Sequence, residues 1–210
     1  MTQKGKILLD VKGMTIGHQN RELYSGVDIE IREGECIMLC GANGSGKTTL
    51  LKALAGMKDQ DIVMIPTRIP KIKGFTLNEF IQLSCYNFTG AEPEEAMFKL
   101  GLSHLTDRDI STLSDGEFQK GTIAAAIAKG ARIILLDEPT AFLDVQNRRN
   151  VLATLRNLCE ETGAAVIFSS HDLHESLNVC SKVIALGADR QCHISSEDLN
   201  ATASAIFSKD

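Results

Sequence analysis

The segment Gly41-Ala42-Asn43-Gly44-Ser45-Gly46-Lys47-Thr48 constrains this chain more than any other, because it matches GxxxxGK[ST] at every position. It follows the unbroken apolar run Cys36-Ile37-Met38-Leu39-Cys40 and precedes the helix-forming Thr49-Leu50-Leu51-Lys52-Ala53-Leu54, closed by Gly56. Such a loop wraps phosphate when a buried strand delivers it and a helix leaves it. The glycines let backbone N–H groups curl around phosphate oxygens, and the helix N-terminus adds partial positive charge. On this pattern Asn43, Gly44, Ser45, Gly46, Lys47, Thr48 and Thr49 bind nucleotide phosphates, with Lys47 reaching the β- and γ-phosphates and the Thr48 hydroxyl offered to Mg²⁺.

The remaining patterns fit the fold this motif requires. Residues 27–31 alternate apolar and polar and, with residues 7–11, predict a small antiparallel sheet at the N-terminus. Residues 133–136 and 165–168 are unbroken apolar runs, the mark of strands buried on both faces, and residues 62–65 and 182–186 read as further strands. Residues 145–161 predict a helix with Val145, Leu152, Leu155 and Cys159 on one stripe and Gly163 past its end. Residues 71–129 carry helix starts and no strand: Thr76 with Glu79, Pro93 with Glu94 and Glu95, and Ser114 opening a helix to Lys129. We therefore expect an α/β P-loop NTPase core with a mostly parallel sheet, a small N-terminal antiparallel β subdomain and an inserted α-helical subdomain. The expected division is a single domain over 1–210, with core at 1–70 and 130–210 and insertion at 71–129. A chain of 210 residues buries a real core without disulfide or metal.

Asp137 and Glu138 end the apolar run 133–136, where open α/β sheets face their ligand crevice. Asp137 is placed to hold Mg²⁺ through water, and Glu138 to orient or deprotonate an attacking water. His171 follows the strand at 165–168 and enters the same crevice. Ser114 and Glu117, in Leu113-Ser114-Asp115-Gly116-Glu117, form a capping box. A capped helix start with a glycine and a hydroxyl is also an anion site, and local chemistry leaves both readings open.

Composition excludes several classes. The net charge of −5 offers no field to nucleic acid or an anionic surface. No apolar run reaches 18 residues and the N-terminus lacks a signal-peptide core, so the expected place is the cytoplasmic side of any membrane. The six cysteines contain no CxxC pair and read as reduced, structural thiols. His171 and His174 form an HxxH pair without a third ligand at metal spacing.

The order of these motifs resembles the nucleotide-binding domain of ATP-binding-cassette (ABC) transporters over essentially the whole chain. The resemblance makes Gly41 to Thr48 the Walker A loop, Asp137 and Glu138 the Walker B acids, Leu113 to Glu117 the LSGGQ-type segment, Asp144 the D-loop acid and His171 the switch histidine. It implies an ATPase using Mg²⁺, with Glu138 and His171 catalytic and Thr48 and Asp137 on the metal. Ser114, Gly116, Glu117 and Asp144 would serve the ATP of the other chain in an ATP-bound homodimer. It also implies integral membrane permease subunits, indirect service to an extracytoplasmic solute-binding protein, no nucleic acid, and a peripheral position on the inner face of the cell membrane. LSDGE followed by DEPTAFLD is most similar to importer ATPases for iron–siderophore, haem or cobalamin; a cytochrome c maturation or export complex, or iron–sulfur assembly, are the alternatives. Two positions depart from the family. His18 stands where an adenine-stacking aromatic is usual, 41 − 18 = 23 positions before Gly41. Thr67 replaces the glutamine that contacts Mg²⁺ and relays to the permease. Only 67 − 47 = 20 positions separate it from Lys47, so a strand-and-turn segment common in the family is missing.

Overall fold

Strands that read as continuous apolar runs need cover on both faces, and the sheet they form supplies the frame. A computed structural model describes residues 5–18, 21–57, 61–86, 92–204 and 206. Its main sheet has six strands: β3 (Cys36–Gly41), β4 (Ile62–Ile65), β5 (Ile133–Leu136), β6 (Ala165–Ser169), β7 (Lys182–Leu186) and β8 (Cys192–Ser195), in the order β4-β5-β6-β3-β7-β8. β3 to β7 all run parallel, and β8 returns antiparallel along β7. Leu39 lies beside Ser169 and Leu136 beside Phe168, so β3, β5 and β6 end level at one edge.

The period-two alternation of β3 divides the core. Ile37 and Leu39 pack with Leu50, Leu51 and Leu54 of α1 (Lys47–Ala55) and with Ile29 and Ile31. Cys36, Met38 and Cys40 face the opposite cluster, with Ile123, Leu152 and Leu155. Full burial of each such side chain stabilises by about 1.5–3 kcal/mol before entropy is counted. The first cluster is roofed by the antiparallel pair β1 (Ile7–His18) and β2 (Arg21–Arg32), in the register Leu9–Ile31 and Val11–Ile29. The pair is longer than the sequence alternation predicts, because bulges let it continue past Gly13, which sits at φ +62°.

Between β4 and β5 lie α2 (Leu77–Ser84), α3 (Pro93–Lys99) and α4 (Asp115–Ala128). Thr76 caps α2 reciprocally: its Oγ1 accepts from the Glu79 N–H at 3.2 Å, while its own N–H donates to Glu79 Oε2 at 2.8 Å. Gly121 lets α4 approach α2, since a Cβ there would meet Leu77 Cδ1 at 2.8 Å. The extended structure described in this stretch is one isolated bridge, Thr76–Asp109.

One expectation needs correction, and one strand was not expected. The helix α5 (Val145–Thr162) buries Val151, Leu152, Leu155, Leu158 and Cys159, but Val145 is 59% exposed, because the first turn and a half of α5 lies outside the core. β8 was not legible either; His193 and Ser195 interrupt its apolar character, and it forms only as an edge on β7. All six cysteines are free, and burial pushes the Cys40 thiol up to about 12 and those of Cys180 and Cys192 to about 11. Among the described residues no helix is long and apolar enough to cross a membrane.

Candidate nucleotide site

The phosphate loop leaves β3 and turns into α1 through glycines in the left-handed region. Gly44 has φ +75° and Gly46, the N-cap of α1, has φ +103°; a Cβ on Gly46 would meet Leu23 Cδ1 at 2.9 Å. The loop forms an open cleft of about 560 Å³ lined by Arg21, Leu23, Asn43, Lys47, Thr48 and Glu138, with Gly44, Gly46 and Thr49 also in its wall. Lys47 is buried, and its Nζ donates to the carbonyls of Gly41 at 2.9 Å and Ala42 at 3.1 Å. Burial pulls the Lys47 pKa below the ordinary lysine range, against the opposing pull of the Glu138 and Asp137 carboxylates. Ser45 Oγ is buried among these groups without a hydrogen-bond partner. A buried hydroxyl in that condition fits a loop built to meet a further acceptor.

The acids complete the crevice. Thr48 Oγ1 donates to Asp137 Oδ2 at 2.8 Å, joining α1 to the end of β5. Asp137 Oδ1 accepts from Ser169 Oγ at 2.8 Å, and Ser169 Oγ itself accepts from the Glu138 N–H at 2.7 Å. Glu138 sits at φ +49°, a left-handed conformation rare for its residue type. His171 Nε2 meets Glu138 Oε1 at 2.6 Å. The loop carrying His171 is tied down from behind: Arg148 Nη1 donates to Asp172 Oδ2 at 2.7 Å. Burial raises the Asp172 pKa, but the Glu175 N–H and the Arg148 guanidinium outweigh it and hold the carboxyl below its ordinary range. Among the described residues no group of three or more His, Cys, Asp or Glu could hold an ion. Thr48 and Asp137 instead offer hard oxygen donors of the kind Mg²⁺ takes together with phosphate oxygens.

Sequence reasoning missed Ser169. It is wholly buried, bridges both acids, and shows in sequence only as a hydroxyl directly after the apolar residues 165–168.

Away from the phosphate cleft, Ser114, Gly116 and Glu117 line a small pocket together with Asn147, and Asp144 joins them through its bonds to Asn147. Ser114 Oγ accepts from the Glu117 N–H at 3.2 Å and donates to Glu117 Oε2 at 2.8 Å, so the capping box is complete. The Ser114 N–H and hydroxyl hold Glu117 below the ordinary glutamate range. Asp144 caps α5, accepting from the Asn147 N–H at 2.8 Å and Asn147 Nδ2 at 2.7 Å; those bonds hold it low as well. Asn147 also faces the LSDGE turn, since a Cβ on Gly116 would meet Asn147 Oδ1 at 3.1 Å. Among the described residues no hydrogen bond or ion pair joins these residues to Lys47 or Thr48. Thr67 lines a groove with Pro139, Phe142 and Phe118 rather than the wall of the phosphate cleft. His18 ends β1 opposite Arg21, and its side chain lies outside the described residues.

A sheet edge that delivers a glycine-rich loop to a helix N-terminus, with a threonine hydroxyl bonded to the carboxylate two strands away, is the crevice of a P-loop nucleotide hydrolase. Within that class, the family model described as ABC transporter matches residues 24–141. The chain belongs to the ABC transporter family and carries its ATP-hydrolysing domain. It is 30% identical over 203 residues to the zinc import ATP-binding protein ZnuC of Chelativorans sp. (strain BNC1), covering 90% of this chain and 71% of that protein. It is 28% identical over 215 residues to the cobalamin import ATP-binding protein BtuD of Halobacterium salinarum, covering 88% of this chain and 54% of that one, so it spans about half of the latter's length. In fold it is similar to a nucleotide-free ATP-binding cassette from an ABC transporter, with TM-score 0.80, 18% identity, and 98% and 100% of the two chains covered. The cbiO1 protein of Clostridium perfringens, part of the cbiONQ complex, matches with TM-score 0.82 and 18% identity over 98% and 93% of the chains.

Proposed function

We propose that this chain is the energising ATPase subunit of a membrane importer, working as one domain with residues 71–129 as a helical subdomain. The observation that carries the reading is the pair of short contacts at one sheet edge, Thr48–Asp137 at 2.8 Å and His171–Glu138 at 2.6 Å. ATP would lie with its phosphates on the N–H groups of the phosphate loop, and Lys47 would exchange two loop carbonyls for the β- and γ-phosphate oxygens. Thr48 and Asp137 would hold Mg²⁺, which neutralises phosphate charge when bound. Glu138 takes the proton of the attacking water as its oxygen bonds the γ-phosphorus, and the bond to the ADP oxygen breaks. His171 holds the Glu138 carboxylate in place.

Two copies would close around two nucleotides in the ATP state, with Ser114, Gly116, Glu117 and Asp144 of each facing the other's γ-phosphate. Permease subunits would follow that closure on the inner face of the cell membrane, and a solute-binding protein would deliver cargo on the far side. For cargo, the motifs favour iron–siderophore, haem or cobalamin. Relatives named for cobalamin and achromobactin support that range, while others are named for zinc and for spermidine/putrescine. Co-purification on a tagged polytopic permease encoded beside this chain, with ATP turnover raised by that permease, is the expected result. A chain that hydrolyses ATP yet stays off every such permease overturns the transport role.

A further inference from the structure

The five residues 67–71, where β4 leads into the helical insertion, hold both segments that the proposed function assigns to the partner's nucleotide. Arg68 lies with its guanidinium carbon 4.1 Å from the centroid of the Phe142 ring. Phe142 is 68% exposed and sits at φ +67°, so a bulky aromatic occupies left-handed backbone in water, two residues before Asp144. The cation covers one face of that ring. Three residues further on, Lys71 Nζ donates to the Leu113 carbonyl at 2.7 Å and to Asp115 Oδ1 at 2.6 Å, and stands 5.6 Å from the Phe118 ring centroid. These contacts bracket Ser114. The Lys71 side chain is 23% exposed where Asp115 is 67% exposed, so the lysine is held inward while the acid faces out. Thr67 lines the same groove as Arg68, Lys71, Phe142 and Phe118.

One short strap therefore carries two cations, and each is engaged with a different loop. We propose that Arg68 and Lys71 are positioning residues that fix the 140–144 loop and the start of α4 relative to each other, so that Asp144 and Ser114 meet the partner's nucleotide as one unit. The inference rests on the reading of Ser114 and Asp144 as groups acting across a dimer. It gives the strap the relay work that Thr67, with its short side chain, does not reach: displacing residues 67–71 moves both trans-acting segments together.

Steady-state ATP turnover and ATP-driven dimerisation test it in the full chain. Arg68→Ala and Lys71→Met should each lower kcat about tenfold while leaving KM for Mg-ATP within about twofold, because misplacement harms the closed state and not the phosphate loop. In a Glu138→Gln background, each should raise the Mg-ATP concentration needed for dimerisation, read by sizing chromatography, by about the same factor. Phe142→Ala should reproduce Arg68→Ala, and the two together should be no worse than either alone. Lys71→Arg, which keeps a donor for both the Leu113 carbonyl and Asp115, should retain activity. Unchanged kcat and dimerisation in both single variants, a matched loss explained by lower melting temperature, or additive Arg68 and Phe142 effects would each overturn the proposal. If Glu138→Gln alone binds Mg-ATP and stays monomeric, the trans reading fails first and takes this inference with it.

Discussion

The phosphate crevice and the LSDGE face are both made of helix starts and acids, yet they satisfy their polar groups in opposite ways. In the crevice, bonds run between elements distant in sequence: Thr48 to Asp137, Asp137 to Ser169, Glu138 to His171. On the LSDGE face Ser114 bonds Glu117 and Asp144 bonds Asn147, each within three residues, and the one long-range tie, from Lys71 to Leu113 and Asp115, flanks Ser114 without bonding it. The first is a site that tertiary folding completes inside one chain, with Ser45 Oγ still lacking an acceptor. The second is a pair of finished helix caps whose charged and hydroxyl groups point outward. The contrast teaches that the two halves are built differently, one held together across strands and the other by local caps, which is what the proposed division between a chain's own nucleotide and its partner's calls for.

The hardest blow to that contrast would fall on the crevice. Lys47→Ala should lower Mg-ATP affinity by about a hundredfold or more, since two charge-assisted hydrogen bonds to phosphate are worth about 1.5–3 kcal/mol each. Calorimetric titration checks it, and affinity within threefold of the parent would remove the phosphate loop from the site. Next comes the LSDGE face. Adding Ser114→Arg to Glu138→Gln should abolish ATP-dependent dimerisation on sizing chromatography yet leave Mg-ATP binding to the single chain unchanged. A double variant that still dimerises makes Ser114 a cap only, whose loss costs about 1 kcal/mol of stability. The smallest effect concerns Glu117. Its pKa is lowered on folding, so its contribution is fully present above the ordinary glutamate value and fades as pH falls through the depressed folded value. Urea unfolding should find Glu117→Gln less stable than the parent at neutral pH and equal to it in strong acid; a gap independent of pH would show that the cap does not depend on the charge.

Much of this was legible in the sequence because the signals were local. The phosphate loop, the buried strands and the caps at Thr76 and Ser114 depend on residues within one turn or one strand. What escaped was set by tertiary position. Ser169 matters because β6 ends level with β5, which no single strand reveals. Val145 belongs to an apolar pattern, but α5 starts beyond the core it would have joined. The engagement of Arg68 with Phe142 joins residues 74 positions apart (142 − 68 = 74), and neither carries a motif that announces the other.

The backbone at Glu138 sets a long-term problem for any lineage carrying this chain. Its φ of +49° suits glycine, and a non-glycine residue held there costs of order 1–3 kcal/mol. Drift toward glycine would therefore be rewarded by a sturdier fold at every generation, and selection for turnover alone opposes it. A copy of the gene released from that selection, or a laboratory library screened only for heat resistance, would lose its carboxylate at residue 138 early. If Glu138 is the base proposed above, what remains would be a well-folded protein that still grips nucleotide and no longer spends it.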